Sequence, residues 1–223
     1  MIAMILAAGR GERLRPLTDS IPKPLVEVAG QTLLGRHLER LAAAGFTRAV
    51  INVSHLAPMI TGRFGDGRRL GMKIDWSHEA VPLETAGGIA RARELLGLDP
   101  FLLVNADIWC DYAFAGLRGF DLGKHLSHLI LVPNPSQHPA GDFSLVHNIV
   151  GNAASPRYTY AGIAVVSPQL VAGVAAGSKA SLAPLWRAAA GRGEVTGDLF
   201  EGNWSDVGTP ERLSALEARL KRP

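Results

Sequence analysis

Cysteine is almost absent from this 223-residue chain, Cys110 standing alone in an apolar stretch. No internal disulfide can form, redox catalysis has no support, and a buried thiol in a reducing compartment is the expectation. Long basic runs are missing as well. The 23 lysines and arginines are scattered and leave a net charge of +3 over the acidic residues, which suits small anionic ligands and disfavours nucleic acid. No apolar run reaches membrane length. Met1 to Ala8 has no basic region ahead of it and is too short for a signal peptide or a membrane span, so a cytoplasmic protein without membrane contact is expected. Three familiar glycine loops are also excluded: Leu14 stands where a dinucleotide fingerprint needs its third glycine, Gly-Lys-Ser/Thr occurs nowhere, and kinase partner motifs are lacking.

What the chain has is concentrated near its start. Met4-Ile5-Leu6-Ala7-Ala8 has strand length and passes into Gly9-Arg10-Gly11-Glu12-Arg13-Leu14-Arg15-Pro16-Leu17-Thr18, followed by Pro22-Lys23-Pro24-Leu25. Glycines let backbone N–H groups face a phosphate without a Cβ in the way. Arg13 and Arg15 add fixed-fork donors, and Lys23 adds a point charge whose position Pro22 and Pro24 narrow. G-x-G by itself is equally an ordinary strand-to-loop turn; the arginines and lysine turn the reading toward polyphosphate.

With 47% hydrophobic residues the chain can bury a core as one large domain, 1–223. Periodicity predicts alternating elements: strands at Ala3 to Leu6, Ala49 to Val53, Met72 to Trp76 and Phe101 to Asn105, and helices at Leu33 to Ala44, Pro58 to Phe64 and Gly88 to Leu96. Beyond His125 it predicts strands at Leu126 to Val132, Phe143 to Val146 and Tyr160 to Val166, a loop from Pro133 to Ala140, and helices at Ala183 to Ala190 and Glu211 to Leu220. This is an α/β pattern: a Rossmann-like, doubly wound, mostly parallel sheet whose ligands bind beyond the carboxyl ends of the strands.

Val104-Asn105-Ala106-Asp107 closes one buried strand, and a carboxylate at a strand mouth can hold a hard cation that bridges phosphates. A turn or helix cap is the competing reading. Trp204-Ser205-Asp206-Val207-Gly208-Thr209-Pro210 contains a helix start, with Thr209 as cap and Pro210 at the first position, which leaves Asp206 unexplained. Pro82-Leu83-Glu84-Thr85-Ala86-Gly87-Gly88 reads as a helix start capped by Thr85.

Together, L-A-A-G-x-G-x-R-L-x-P-L-T and P-K-P-L resemble the signature of the sugar-phosphate nucleotidyltransferases. The resemblance implies the nucleotidyltransferase fold, a nucleoside triphosphate and a sugar 1-phosphate as substrates, and Mg2+ as cofactor. It further implies that Arg15 holds the departing pyrophosphate, Lys23 contacts the phosphates, and Asp107 and Asp206 share the metal. Leu6, Ala8, Gly9, Gly11, Glu12, Arg13, Gly88 and Asn105 would surround the nucleotide, the Pro82 to Gly88 segment standing as the base-recognition loop. The E-T-x-G-G variant, the short chain, Asp107-Ile108-Trp109 and Gly141-Asp142-Phe143 most resemble the bacterial N-acetylmuramate 1-phosphate uridylyltransferases of cell-wall recycling, with UTP as donor.

The sugar end is less marked. The E-K-P element of larger relatives is missing between Asn148 and Tyr160, and Asp142, Tyr160 and Gly162 are the candidates for a sugar-phosphate half, 111–223, beside a nucleotide-binding half, 1–110. Glu84 departs from the glycine most common in the family. Lys179 and the seven histidines are assigned to solvated positions. Guanylyl or uridylyl transfer to a mannose or glucose 1-phosphate is the alternative activity, a nucleotide-sugar sensor without catalysis the non-enzyme one, and a partner-binding α/β protein the third. No C-terminal repeat domain is present, so a monomer is expected.

Overall fold

A continuous apolar run, Ala-Met-Ile-Leu, makes Ala3–Leu6 a strand buried on both faces: Ala3 and Ile5 join one core cluster and Met4 the other. In the computed structural model, residues 1–221 are described; Arg222 and Pro223 of the expected domain lie outside them. The first half comprises β1 (Ala3–Leu6), α1 (Leu17–Ser20), β2 (Glu27–Val28), β3 (Gln31–Thr32), α2 (Leu33–Ala43) and β4 (Arg48–Val53). It continues with α3 (Ala57–Phe64), β5 (Lys73–His78), α4 (Glu84–Arg91), α5 (Arg93–Leu96) and β6 (Phe101–Asn105). The second half adds β7 (Ile108–Cys110), β8 (Ser127–Val132), β9 (Phe143–Val146), β10 (Ile149–Gly151), β11 (Arg157–Val166), α6 (Leu182–Gly191), β12 (Val195–Leu199), β13 (Trp204–Asp206) and α7 (Pro210–Leu220).

One nine-stranded sheet in the order β5-β4-β1-β6-β11-β8-β12-β10-β9 carries the molecule. Strands β1, β4, β5, β6, β8, β9 and β12 point one way, and only β10 and β11 run against them. Helices α2 and α3 cover one face through Leu34, Leu38, Leu41 and Ile60. On the other face Ala86, Ile89, Trp186 and Ala189 of α4 and α6 meet Met4, Val50 and Leu103. This is the doubly wound α/β layout that the alternation predicts. No helix among the described residues is long and apolar enough to cross a membrane.

The expected helix from Gly88 to Leu96 differs in detail. It begins at Glu84 and breaks at Ala92 into α4 and α5. Thr85 is not its cap: the N–H groups of Ala86 and Gly87 donate to the Ala180 carbonyl at 2.9 and 3.0 Å. The Thr85 hydroxyl instead accepts from the Leu182 N–H at the start of α6, so a tertiary contact replaces the local cap. Thr32 and Thr209 do cap α2 and α7, accepting from Gly35 and Arg212.

Candidate active site

Parallel register places Leu6 opposite both Asn52 and Asn105, so three strand ends form one row at the carboxyl edge of the sheet. All three border a cavity of about 890 Å³ whose floor continues into the glycine loop and Asp107. Gly11 has φ +67°, and a Cβ there would come within 2.9 Å of Thr18 and 3.2 Å of Lys23; its carbonyl accepts from the Leu14 N–H and the Thr18 hydroxyl. The turn therefore requires glycine at 11. Gly9 differs: it lacks a left-handed φ, and nothing lies within 4 Å of a Cβ built on it. Packing does not demand glycine at 9, and its open side faces the cavity.

Lys23 is nearly buried, and its Nζ donates to Asp107 Oδ2 at 2.6 Å. Asp107 leads into a two-stranded ribbon in which Ile108 faces Asp206, Trp109 faces Ser205 and Cys110 faces Trp204. The Val207 N–H also donates to the Asp107 carbonyl at 2.8 Å. The ribbon is what brings the two carboxylates of residues 107 and 206 to one cavity wall. Behind it His37, wholly buried, donates from Nε2 to the Ile108 carbonyl at 2.8 Å; burial pushes its pKa down to about 4, so the ring is neutral. Burial likewise pushes the Cys110 thiol up, leaving it an inert packing group.

Two carboxylates, with no group of three or more His, Cys, Asp or Glu among the described residues, fit a hard divalent cation that keeps waters and binds substrate phosphates; they do not fit a closed zinc site. Asp206 is held by Arg212 Nη1 on Oδ2 and by Gln137 Nε2 on Oδ1 at 3.0 Å.

A second cavity of about 320 Å³ adjoins the first, and Arg13, Asn105 and Asp107 border both. Asp142, Tyr160, Gly162 and Asp206 line it. Asp142 bridges the His138 ring and the Tyr160 N–H, at 3.0 and 2.8 Å. Strand β11 carries a register shift between Tyr160 and Ile163, and Gly162 sits there at φ +80° with a Cβ position 2.9 Å from Ile108 and 3.1 Å from Asn105. That bulge admits the strand to the cavity wall. The Tyr160 hydroxyl itself points into protein, beside Trp186 and without a partner, and burial raises its pKa.

Of the residues picked out in the sequence, Leu6, Ala8, Gly9, Gly11, Glu12, Arg13, Lys23, Asn105 and Asp107 are brought together around the larger cavity. Arg15 is not among them: its guanidinium is 58% exposed and paired with Asp19 at 3.1 Å. Gly88 also lies behind the wall, where a Cβ would meet Asn52 Nδ2 at 2.7 Å and Glu79 Oε1 at 2.9 Å. Its lack of a side chain accommodates a buried chain of hydrogen bonds. The Ala7 N–H donates to Asn52 Oδ1, Asn52 Nδ2 donates to Glu79 Oε1, and Glu79 Oε2 accepts from the Leu83 N–H, all between 2.7 and 2.9 Å.

Sequence reasoning missed Asn52, whose advance signal was a polar residue inside the apolar strand β4, and Glu79, which follows β5 and carried no such signal. Lys179 is exposed as expected, and it also borders the cavity, 3.5 Å from Glu84. Glu84 stands at φ +62°, the left-handed region where the family's glycine costs nothing. Glu84 carries that backbone cost where it lines the cavity.

Residues 2–132 match the family model for nucleotidyl transferases. Two curated relatives match nearly end to end. The N-acetylmuramate alpha-1-phosphate uridylyltransferase of Neisseria meningitidis serogroup B is 46% identical over 98% of this chain and 97% of its own length; the protein of that name from Caulobacter vibrioides is 37% identical over 98% and 96%. A crystal structure described as a glucose-1-phosphate thymidylyltransferase of Bacillus anthracis superposes with a TM-score of 0.86 over 100% of this chain and 96% of that one. At 18% identity it speaks for the fold alone.

Proposed function

The chain belongs to the nucleotidyl transferase family, and from that premise we propose that it joins UTP to N-acetylmuramate α-1-phosphate, giving UDP-N-acetylmuramate and pyrophosphate. The observation that carries this reading is the sharing of Arg13, Asn105 and Asp107 between two adjoining cavities. A triphosphate in the larger and a sugar phosphate in the smaller would meet over Asp107. The choice of uridine and muramate draws on the near full-length likeness to the two uridylyltransferases.

In this reaction an oxygen of the acceptor phosphate forms a bond to the α-phosphorus of UTP. The bond from that phosphorus to the bridging oxygen breaks, and its electron pair leaves on pyrophosphate. The attacking oxygen is already ionised, so no base has to remove a proton. The difficulty is repulsion between two anions, which preorganised positive charge relieves. Backbone donors of the glycine loop and Arg13 cradle the triphosphate, and Lys23 sets positive charge beside the reacting phosphorus. Arg15, which stands outside the cavity paired with Asp19, would have to release that carboxylate and move in to take the leaving group. Asp107 and Asp206 would hold Mg2+, which supplies charge neutralisation and alignment of the two phosphates when bound.

We assign residues 1–110 to the donor and 111–223 to the acceptor, with Asp142, Tyr160 and Gly162 in the acceptor's wall. One copy of the chain contains both cavities, which suits a monomer. We place the reaction in the cytoplasm, returning muramate to cell-wall precursors. The test is pyrophosphate release with Mg2+ across UTP, GTP, dTTP and CTP against N-acetylmuramate, N-acetylglucosamine, mannose and glucose 1-phosphates. Release confined to UTP with N-acetylmuramate 1-phosphate is expected. Preference for another pair overturns the specificity, and silence throughout overturns the activity.

A further inference from the structure

Arg212 is the third residue of α7, at the helix end whose dipole disfavours a cation. Asp206 holds it there through Oδ2, while Gln137 takes Oδ1. Both oxygens that Asp206 would offer to a metal are thus engaged by side chains. A guanidinium and a divalent cation on the same carboxylate repel each other, so each weakens the other's hold.

Gly208 shows that this meeting is built in. A Cβ there would come within 2.7 Å of Arg212 Nη1, 3.1 Å of Asp206 Oδ2 and 3.3 Å of Arg13 Nη2, and Gly208 has no left-handed φ to explain it otherwise. Its absent side chain is the space in which Arg212, Asp206 and Arg13 converge. The place is the junction of the cavities: Gly208 borders the larger, Arg212 and Asp206 the smaller, and Arg13 both.

We propose that Arg212 is an exchangeable counterion: it neutralises Asp206 until a divalent cation takes that carboxylate, and the released guanidinium then binds an oxyanion of the acceptor in the smaller cavity. The proposal rests on the nucleotidyl-transfer reading, which puts a metal on Asp206. Metal and acceptor then favour each other's binding, since both select the state in which Arg212 has left Asp206, and the coupling is reciprocal. N-acetylmuramate 1-phosphate offers two such oxyanions, the phosphate and the lactyl carboxylate, and a guanidinium fork fits either.

The test uses the full chain without nucleotide, with Mn2+ as the metal probe followed by electron paramagnetic resonance, and calorimetry for the acceptor with and without Mn2+. In Arg212→Gln, Mn2+ binding should tighten by about fivefold or more, acceptor binding should weaken by a similar factor, and Mn2+ should cease to strengthen acceptor binding. Weakening for both N-acetylmuramate and N-acetylglucosamine 1-phosphates assigns the phosphate; weakening for the first alone assigns the carboxylate. Arg212→Lys keeps the charge without the fork. It should retain the wild-type Mn2+ affinity and lose acceptor affinity, and it decides the matter should the glutamine variant not fold. Unchanged or weaker Mn2+ binding in Arg212→Gln, or acceptor binding unaffected in both variants, overturns the proposal. Tighter Mn2+ binding with neither sugar phosphate bound by the wild type would instead overturn the choice of acceptor and leave the counterion supported.

Discussion

Lys23 Nζ donates to Asp107 Oδ2 at 2.6 Å, joining residues 84 positions apart in the chain. The ammonium side chain is 10% exposed and the carboxylate 37%. Asp107 therefore keeps a solvent-facing side for ligands while its inner side is neutralised, and Lys23 has little freedom to leave.

Lys23→Met should lower turnover about 100- to 1000-fold, the cost of losing one preorganised donor of roughly 2.7–4 kcal/mol. The fold should persist, because the carboxylate left behind is partly solvated. Pyrophosphate release at saturating substrates, with thermal unfolding alongside, reads both. Normal turnover would remove Lys23 from the mechanism.

The two loop glycines should separate in their effects. Gly11→Ala should destabilise the protein by about 1–2 kcal/mol from its left-handed φ, more where Thr18 and Lys23 must shift. Gly9→Ala should leave the melting temperature of the free protein unchanged and reduce the rise produced by UTP. A large stability loss at position 9 would show that packing, not ligand approach, requires that glycine.

Asn52→Ala should strip partners from the Ala7 N–H and from Glu79 at once. Each buried group left unsatisfied costs about 1–3 kcal/mol. Urea denaturation should show the loss, with nucleotide binding weakened as the Leu83 loop loosens. Wild-type stability would mean that the chain of hydrogen bonds is replaceable by water.

Burial pushes the His37 imidazole down to about 4 in the folded protein from its ordinary 6.5. Between those values the unfolded chain binds the proton and the native state does not, so stability is full above pH 6.5 and falls as pH drops toward 4. The loss at this one site is about 3 kcal/mol at 1.36 kcal/mol per unit. His37→Gln should flatten that part of the stability profile relative to wild type. An unchanged slope between pH 4 and 6.5 would show that His37 is not its source.

Local chemistry was enough for β1, β4, β6, α2 and α7, where short continuous apolar runs, helical spacing and the Thr32 and Thr209 caps lie within a few residues of one another. The same held for the glycine loop, Lys23, Asp107 and Asp206 as residues of interest. Strands β7, β10 and β13, of three residues each, gave no periodic signal. Strands β7 and β13 exist through pairing with each other across the chain, β10 pairs with the adjacent β9 and at one position with β12, and β12 is masked by Thr196, Gly197 and Asp198.

The sequence by itself determined that an anion-cradling loop, a strand-end carboxylate and an α/β layout belong to one chain, since each is a property of contiguous residues. Tertiary structure alone decided that Thr85 accepts from the first N–H of α6, that Arg15 stands outside with Asp19, and that Asn52 and Glu79 brace the cavity wall. It also set Arg212 against Asp206. For Thr85, Asn52 and Glu79 the physical reason is that partners of buried groups are selected by which segments the sheet order brings side by side, which has no local imprint; Arg15 with Asp19 and Arg212 with Asp206 are four and six residues apart, and there the fold decides only whether the pair stands outside or against a cavity.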